Sequence, residues 1–175
     1  SFIFQLPVVG SVLGSALVGG LWMCLVIFGF HWSLIPISIM NLNTLGHDSV
    51  LAATIGHGFA LGAVIFAMYL RIKDERFRGI ALPAMISAFF FGVTEPGIYG
   101  IALPNKRAFV VACLSSAVGG AIVGMTGALM YISGGLGVFN LLNFIDGTPG
   151  GAGISHMIFA IIAALVSPLA CALLD

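Results

Sequence analysis

Long stretches without any formal charge constrain this chain more than any other feature. They cover residues 1–30, 49–70, 79–94, 108–145 and 147–174. A helix needs about 20 predominantly apolar residues to cross a bilayer, and several of these stretches reach that length. Only 7% of the residues are charged, against about a quarter in soluble domains. We therefore expect an all-α integral membrane protein whose surroundings are the lipid bilayer.

Charge balance and missing motifs exclude several classes of function. Six basic and six acidic residues give a net charge of zero, which argues against nucleic acid as a partner. The sequence has no glycine-rich phosphate loop, no GxSxG elbow and no HExxH motif, so neither a cofactor nor a metal site is expected. Cys24, Cys113 and Cys171 lack paired spacing, and we expect all three to be inert packing residues.

Four crossing helices are predicted, and the segments between some of them are predicted to be irregular. The predicted helices cover residues 7–30, 49–70, 108–131 and 156–174. Residues 31–48 contain Pro36 and several polar side chains, so this segment is expected to break the helical pattern, and residues 133–150 are expected to form a loop. The chain begins without methionine and is interpreted as one membrane domain, residues 1–175, within a longer protein.

Small residues are spaced along two of the predicted crossing helices as in close helix pairs. Gly10 and Gly14 lie on the first helix, and Gly120 and Gly124 lie on the third. Such spacing lets two backbones approach closely. These helices are therefore predicted to pack against neighbouring helices.

Two basic clusters decide how the segment between them is arranged. The first cluster consists of Arg71, Lys73, Arg76 and Arg78, and the second of Lys106 and Arg107. The positive-inside rule assigns both clusters to the cytoplasm, which a single crossing between them would prevent. Residues 79–105 are therefore predicted to enter the membrane and turn back as a re-entrant hairpin, with the turn near residues 92–97.

One acid lies near the turn of this hairpin. The sequence there reads Gly92-Val-Thr-Glu-Pro-Gly-Ile-Tyr-Gly100. An ionisable group at membrane depth usually marks the path of a substrate or ion. Thr94 is predicted to cap a new helix with Pro96 in its first turn, and a helix N-terminus favours an anion. Glu95 is thus expected to stay ionised, face a cavity and accept hydrogen bonds from substrate hydroxyls; alternatively, it only satisfies backbone amides.

Histidine and aromatic side chains supply the other candidate contacts. His31 precedes Trp32 at the end of the first span, and an imidazole can exchange hydrogen bonds with hydroxyls. An aromatic face, here Trp32 or Phe30, can cover an apolar ring face. The alternative is that His31 is an ordinary histidine satisfied at a helix end. His57 lies in the second span, where it either bonds to a neighbouring helix or relays protons with Glu95.

Three sequence blocks resemble the membrane-spanning EIIC domain of the bacterial sugar phosphotransferase system. They read Gly29-Phe-His-Trp32, Gly58-Phe-Ala-Leu-Gly62 and the block around Glu95. The resemblance covers roughly residues 24–174 and is closest to the glucose/sucrose/β-glucoside group, within it the β-glucoside branch. It implies the C-terminal part of a larger multi-pass permease of the bacterial inner membrane, with re-entrant hairpins, that acts as a homodimer.

The resemblance also implies a sugar site and a partner. Family members contact the sugar through the residues that match Glu95 and His31, and Glu95 would also orient the hydroxyl to be phosphorylated. The candidate substrate-binding set is Glu95, His31, Thr94, Trp32, Pro96 and Gly97. No cysteine here matches the phosphorylated cysteine of the family, so the resemblance implies that a separate EIIB domain supplies the phosphate.

The sugar and the mechanism stay open at this point. Branch members usually carry alanine at the position of Gly97 and glutamine near that of His57, so the sugar is not determined. The rival hypothesis is an ion-coupled or proton-coupled carrier or channel that uses Glu95 and His57. A third is a membrane subunit that binds no sugar.

Overall fold

The computed structural model describes residues 8–134, 136–147 and 154–174, with side chains for 10–134, 136–147 and 154–166. Pro7, Pro149 and Gly150, which the predicted segments include, lie outside the described residues, as does the side chain of Cys171. The described part contains helices and irregular segments but no β-strand, which confirms the predicted all-α fold. The helices are α1 (Val8–Ile27), α2 (His31–Leu45), α3 (Gly56–Arg71), α4 (Glu75–Ile86), α5 (Glu95–Gly97), α6 (Lys106–Thr126) and α7 (Ser155–Leu174).

Shorter helical turns of other types complete these elements. Ala52–Thr54 forms a 3₁₀ turn before α3, and Gly137–Phe144 forms a 3₁₀ helix between α6 and α7. Ser87–Phe91 and Ile98–Ala102 are single π-helical turns that follow α4 and α5. Among the described residues, three helical stretches are long and apolar enough to cross a membrane: Gly10–Ile27, Ala52–Arg71 and Lys106–Thr126.

Close backbone contact joins α1 and α6. The Ser116 hydroxyl donates a 2.7 Å hydrogen bond to the carbonyl of Gly19. A Cβ atom added to Gly124 would lie 2.8 Å from the carbonyl oxygen of Ser11, and one added to Gly120 would meet the carbonyl oxygen of Ser15. The predicted close packing at Gly120 and Gly124 is therefore confirmed, because a larger residue at either position would push the helices apart.

The prediction of a loop after the first span is wrong for residues 31–45, which form α2. Pro36 lies inside this helix, where it removes one backbone hydrogen bond without ending the helix. The polar side chains do not break it either. Thr44 donates to the carbonyl of Met40 at 2.7 Å, and Asn41 donates to Asp48 at 2.7 Å. Their hydrogen-bonding needs are met locally, so the helix continues to Leu45.

The ends of the predicted hairpin lie on the same side of the molecule. α3 ends at Arg71 and α6 begins at Lys106. Arg71, Asn105 and Arg107 line one cavity of about 230 Å³. The chain that leaves α3 at the first basic cluster therefore returns to the same level before α6 starts. This geometry is what a segment that enters and turns back requires.

The turn of the hairpin lies beside the other end of α3. A Cβ added to Gly58 would lie 2.9 Å from the carbonyl oxygen of Ala88 and 4.0 Å from the Cα atom of Gly92. Gly58 is separated from Arg71 by thirteen residues of helix, or about 20 Å along its axis. The hairpin thus runs along α3 and turns back at Gly92, and the predicted re-entrant arrangement is confirmed.

A second irregular segment meets this turn. It follows Gly127, which ends α6 at a φ of +64°, and it includes the 3₁₀ helix Gly137–Phe144 within a region predicted to be only a loop. Gly92 and Gly137 have φ values of +65° and +60° and touch through their backbones. A Cβ on Gly137 would lie 2.5 Å from the carbonyl oxygen of Phe90 and 2.6 Å from the amide nitrogen of Gly92. Glycine is required at both positions because of this approach and these dihedral angles.

Candidate functional site

The meeting of the two irregular segments forms one wall of a cavity of about 180 Å³. The other walls come from the corner between α1 and α2 and from the beginning of α3. This volume is below the roughly 300–1,000 Å³ of sites for drug-sized ligands, so it suits a ligand as small as a single sugar ring. Its polar lining residues are His31, Thr54, His57, Thr94, Glu95, Ser133, Asn140 and Asn143.

The backbone at the turn determines where Glu95 lies. Gly92 ends the first arm in a left-handed conformation, and its N–H donates to the carbonyl of Ser87. Two non-helical residues follow, Val93 and Thr94, and the second arm begins at Glu95, with the Ile98 N–H bonded to the Thr94 carbonyl at 2.9 Å. Thr94 is at the N-cap position, as predicted, but its side chain makes no capping bond. Glu95 is therefore held at the first position of a helix that starts within the cavity wall.

The Glu95 carboxylate is available to a ligand. It accepts no hydrogen bond and forms no ion pair among the described residues. Among the described residues that line the cavity, it is also the only one with a formal charge. The alternative that Glu95 only satisfies backbone amides is not what the structure shows, since no amide bonds to it. A carboxylate that lines a cavity in this way can accept hydrogen bonds from ligand hydroxyls.

His31 lies at the first position of α2, immediately after the turn at Gly29, whose φ is +75°. Its ring is close to two indoles, with its centroid 6.1 Å from the ring of Trp22 and 5.5 Å from that of Trp32. The Nδ1 atom is buried and has no hydrogen-bond partner in the part of the chain that the structure describes. An unmet buried polar atom costs about 1–3 kcal/mol. The alternative of a fully satisfied histidine is therefore not observed.

His57 is held by the 3₁₀ turn that precedes its helix. Its Nδ1 atom lies 2.6 Å from the carbonyl oxygen of Thr54. A carbonyl only accepts, so Nδ1 carries the hydrogen and Nε2 of the neutral ring is an acceptor. Electrostatic interactions connect this ring with Glu95 and His31, and its centroid lies 5.9 Å from that of Trp22. His57 thus belongs to the same polar group as the two residues that the sequence singled out.

Of the other predicted site residues, two line the cavity and two do not. Thr94 is 2% exposed and lines the cavity, as does Trp32, which is 68% exposed at its edge. Pro96 is exposed and does not line the cavity. Gly97 is buried against α3, where an added Cβ would lie 2.7 Å from Cδ1 of Ile65. Pro96 and Gly97 therefore shape the second arm and do not face the cavity.

Sequence reasoning missed four residues of the lining that bear on its chemistry: Trp22, Thr54, Asn140 and Asn143. Trp22 carried a signal, because tryptophan in membrane proteins is enriched near the bilayer surface, whereas this one lies well inside a crossing helix. The sequence also indicated the two asparagines, because they are polar residues three positions apart at the end of a long stretch without charge. Thr54 had no distinguishing pattern.

A buried carboxylate outside the cavity connects the segments that form part of the cavity lining. Asp48 is 1% exposed and accepts hydrogen bonds from the Ser38 hydroxyl at 2.6 Å and the Asn41 amide at 2.7 Å. It also accepts from the backbone N–H of Leu51 at 2.8 Å. Its own backbone exchanges two hydrogen bonds with Met130, at 2.7 and 2.9 Å. Since Leu51 and Met130 line the cavity, this carboxylate fixes α2 and the segment after α6 around it.

The part of the chain that the structure describes contains no candidate metal site. No group of three or more His, Cys, Asp or Glu side chains there could hold a metal ion. The arrangement around Glu95 is instead a carboxylate, two imidazoles, amides and two indoles. Such a set can hydrogen-bond and cover a small polyhydroxylated ring.

Comparison with known proteins identifies relatives of this chain. The chain matches the family model described as "Phosphotransferase system, EIIC" over residues 3–117. It is 44% identical, over 139 residues, to the PTS system beta-glucoside-specific EIIBCA component of Halalkalibacterium halodurans, covering 79% of this chain and 22% of that protein. Proteins of the same name from Dickeya chrysanthemi and Bacillus subtilis are 32% and 35% identical over 79% and 71% of this chain, and over 22% and 20% of their own length.

These matches concern a part of each relative. The chain spans about a fifth of the length of the curated relatives it matches. No solved structure matches it.

Proposed function

We propose that this chain, which belongs to the EIIC family of the phosphotransferase system, binds a glucoside-type sugar and carries it across the bacterial inner membrane. The observation that carries this proposal is the Glu95 carboxylate, which lines the cavity with no hydrogen bond and no ion pair among the described residues. Each sugar hydroxyl that leaves water needs a hydrogen-bond partner. Glu95 supplies acceptors, and Trp22 and Trp32 supply aromatic faces for the apolar side of the ring.

The class of sugar follows from the cavity and the relatives together. A volume of about 180 Å³ holds one sugar ring, and a group linked to that ring has to extend beyond the cavity. The relatives are named as beta-glucoside-specific components. A β-glucoside, with its glucose ring inside and its second group toward the opening, satisfies both observations.

Phosphorylation is proposed to come from an EIIB domain. Two observations support this: the relatives are EIIBCA components, and neither Cys24 nor Cys113 lines the cavity. In this scheme Glu95 binds the sugar and orients the hydroxyl that receives the phosphate. Residues 1–175 act as one membrane domain that works as a homodimer in the bilayer.

The orientation in the membrane is proposed from the basic clusters. Arg71 and Arg107 lie at one end of the molecule, and basic residues near membrane-crossing helices are enriched on the cytoplasmic side. That end is therefore assigned to the cytoplasm, where an EIIB domain has access. An Arg76→Cys variant, treated with a thiol reagent that cannot cross the membrane, tests this. If the cysteine is labelled in opened vesicles but not in intact cells, the assignment is supported. Labelling in intact cells would contradict it.

A transport experiment tests the function. Cells that produce the intact permease are given a radiolabelled β-glucoside, and the imported sugar is examined chemically. Recovery as the phosphate ester, dependent on EIIB, is the expected result. Unmodified sugar, accumulated only with a proton gradient, would instead support the carrier that uses Glu95 and His57. If no candidate sugar binds, the result supports the hypothesis of a membrane subunit that binds no sugar.

A further inference from the structure

The second irregular segment brings an amide into the cavity that neither the family comparison nor the sequence motifs assign. Asn140 lies on the 3₁₀ helix Gly137–Phe144 and lines the cavity together with Asn143. The contact between Gly92 and Gly137 holds this segment against the turn that carries Glu95. Asn140 and Glu95 thus come from two segments that are distant in sequence but joined at the same cavity.

The hydrogen bonds of Asn140 determine which of its atoms remain available. Asn143 Nδ2 donates a 2.8 Å hydrogen bond to Asn140 Oδ1. Asn143 is itself 5% exposed, and its backbone carbonyl accepts from the N–H groups of Tyr131 and Ile132, so its position is fixed. The acceptor of the Asn140 amide is therefore occupied. Its NH₂ group has no hydrogen-bond partner among the described residues.

A donor complements the rest of the site. Glu95 only accepts, and Nε2 of neutral His57 also accepts. The Thr54 hydroxyl is already used, since it donates to the carbonyl of Leu51 at 2.8 Å. A sugar hydroxyl has one hydrogen to donate and two lone pairs that accept. Acceptors alone would leave the lone pairs unmet. The Thr94 and Ser133 hydroxyls and the indole N–H groups of Trp22 and Trp32 can donate from other parts of the lining, and the Asn140 amide adds a donor on the wall that the second irregular segment forms.

We propose that the Asn140 side-chain amide donates a hydrogen bond to the oxygen of one sugar hydroxyl and thereby helps to determine which sugar is bound. This inference rests on the proposed function, because it concerns the same cavity and ligand. Asn143 is a positioning residue in this arrangement: its bond to Oδ1 holds the Asn140 side chain and leaves the NH₂ group available to the ligand. The second irregular segment is then part of the specificity of the site as well as its wall.

The substitution Asn140→Asp separates binding from structure. A carboxylate at this position still accepts the bond from Asn143 but no longer donates to a ligand. Binding of a β-glucoside and of its monodeoxy analogues is measured by isothermal titration on the intact permease. The matched control is Asn43→Asp, the same change on the exposed face of α2. Thermal unfolding of each variant shows whether it is folded, and Asn140→Ala replaces Asn140→Asp in the comparison if the latter is not.

The expected result is specific to one hydroxyl. Asn140→Asp weakens binding of the parent sugar by about tenfold, the value of one ordinary hydrogen bond, and Asn43→Asp leaves it unchanged. One deoxy analogue binds to the unmodified protein about tenfold more weakly than the parent sugar does. The affinity of this analogue is the same for Asn140→Asp as for the unmodified protein. Unchanged affinity for the parent sugar in Asn140→Asp, or an equal loss for every analogue, would overturn the proposal.

Failure of this inference is distinguishable from failure of the proposed function. If the unmodified protein binds the glucoside and Glu95→Gln weakens that binding while Asn140→Asp does not, only the role of Asn140 is refuted. If the unmodified protein binds no glucoside, the proposed function itself is refuted.

Discussion

Replacing Gly137 by alanine should destabilise the protein by about 2–5 kcal/mol. Gly137 has a φ of +60°, and an L-residue in this left-handed region costs about 1–2 kcal/mol. The added Cβ would also lie 2.5 Å from the carbonyl oxygen of Phe90 and 2.6 Å from the amide nitrogen of Gly92. These are backbone atoms that cannot rotate away, and such overpacking costs a further 1–3 kcal/mol or so.

A matched glycine isolates the contact from the dihedral angle. Gly127 has a φ of +64°, and an added Cβ there would meet no atom of the described residues within 4 Å. Gly127→Ala should therefore cost only about 1–2 kcal/mol. Denaturant unfolding of the intact protein in detergent, followed by tryptophan fluorescence, measures both variants. Gly137→Ala should be the less stable by about 1–3 kcal/mol and should bind glucoside more weakly, because the cavity wall is displaced. Equal stability of the two variants would refute the backbone contact between the two irregular segments.

Two further predictions concern residues around the cavity. Asp48→Ala leaves three donors without an acceptor in a buried site and should lower the free energy of unfolding by about 3–5 kcal/mol; Asp74→Ala removes only an exposed helix cap and should lower it by about 1 kcal/mol. Denaturant unfolding compares the pair, and similar losses would contradict the structural role of Asp48. Gly97→Ala introduces a Cβ that meets the flexible ends of Ile65 and Leu61, which can move aside, so it should keep glucoside binding and lower the free energy of unfolding by about 1 kcal/mol, the lower end of the cost of overpacking. Loss of binding in a folded Gly97→Ala protein, measured by titration, would show that Gly97 faces the ligand after all.

Charge position was enough to predict the main features of the fold. The basic residues at Arg71 and Arg107 could both lie on one side only if the segment between them turned back, and the structure has that arrangement. α2 was missed because proline and asparagine are poor helix residues on average. In this chain Asn41 bonds to Asp48 and Thr44 to the backbone of its own helix. Those partners are apparent only once the helix and the turn after it are formed.

The candidate site was predictable where residue type carried the information. A lone acid in apolar sequence identified Glu95, and a histidine beside tryptophan identified His31. The contribution of Asn140 depends on the contact between Gly92 and Gly137, which are 45 positions apart in the sequence. No local pattern reports such a contact. The distinction between Glu95, which faces the cavity, and Gly97, which packs on α3, likewise depends on the direction of the second arm.

The most direct test of the whole account is glucoside binding to Glu95→Gln, measured by isothermal titration on the intact permease beside Glu75→Gln. Glu75 lies exposed in the first turn of α4, so the same change there should leave the affinity as it is. Hydrogen bonds to a charged group contribute about 1.5–3 kcal/mol, so Glu95→Gln should weaken binding by about 10-fold to 150-fold with the fold intact. Equal affinity in the two variants would contradict the claim that the acid at the hairpin turn binds the sugar.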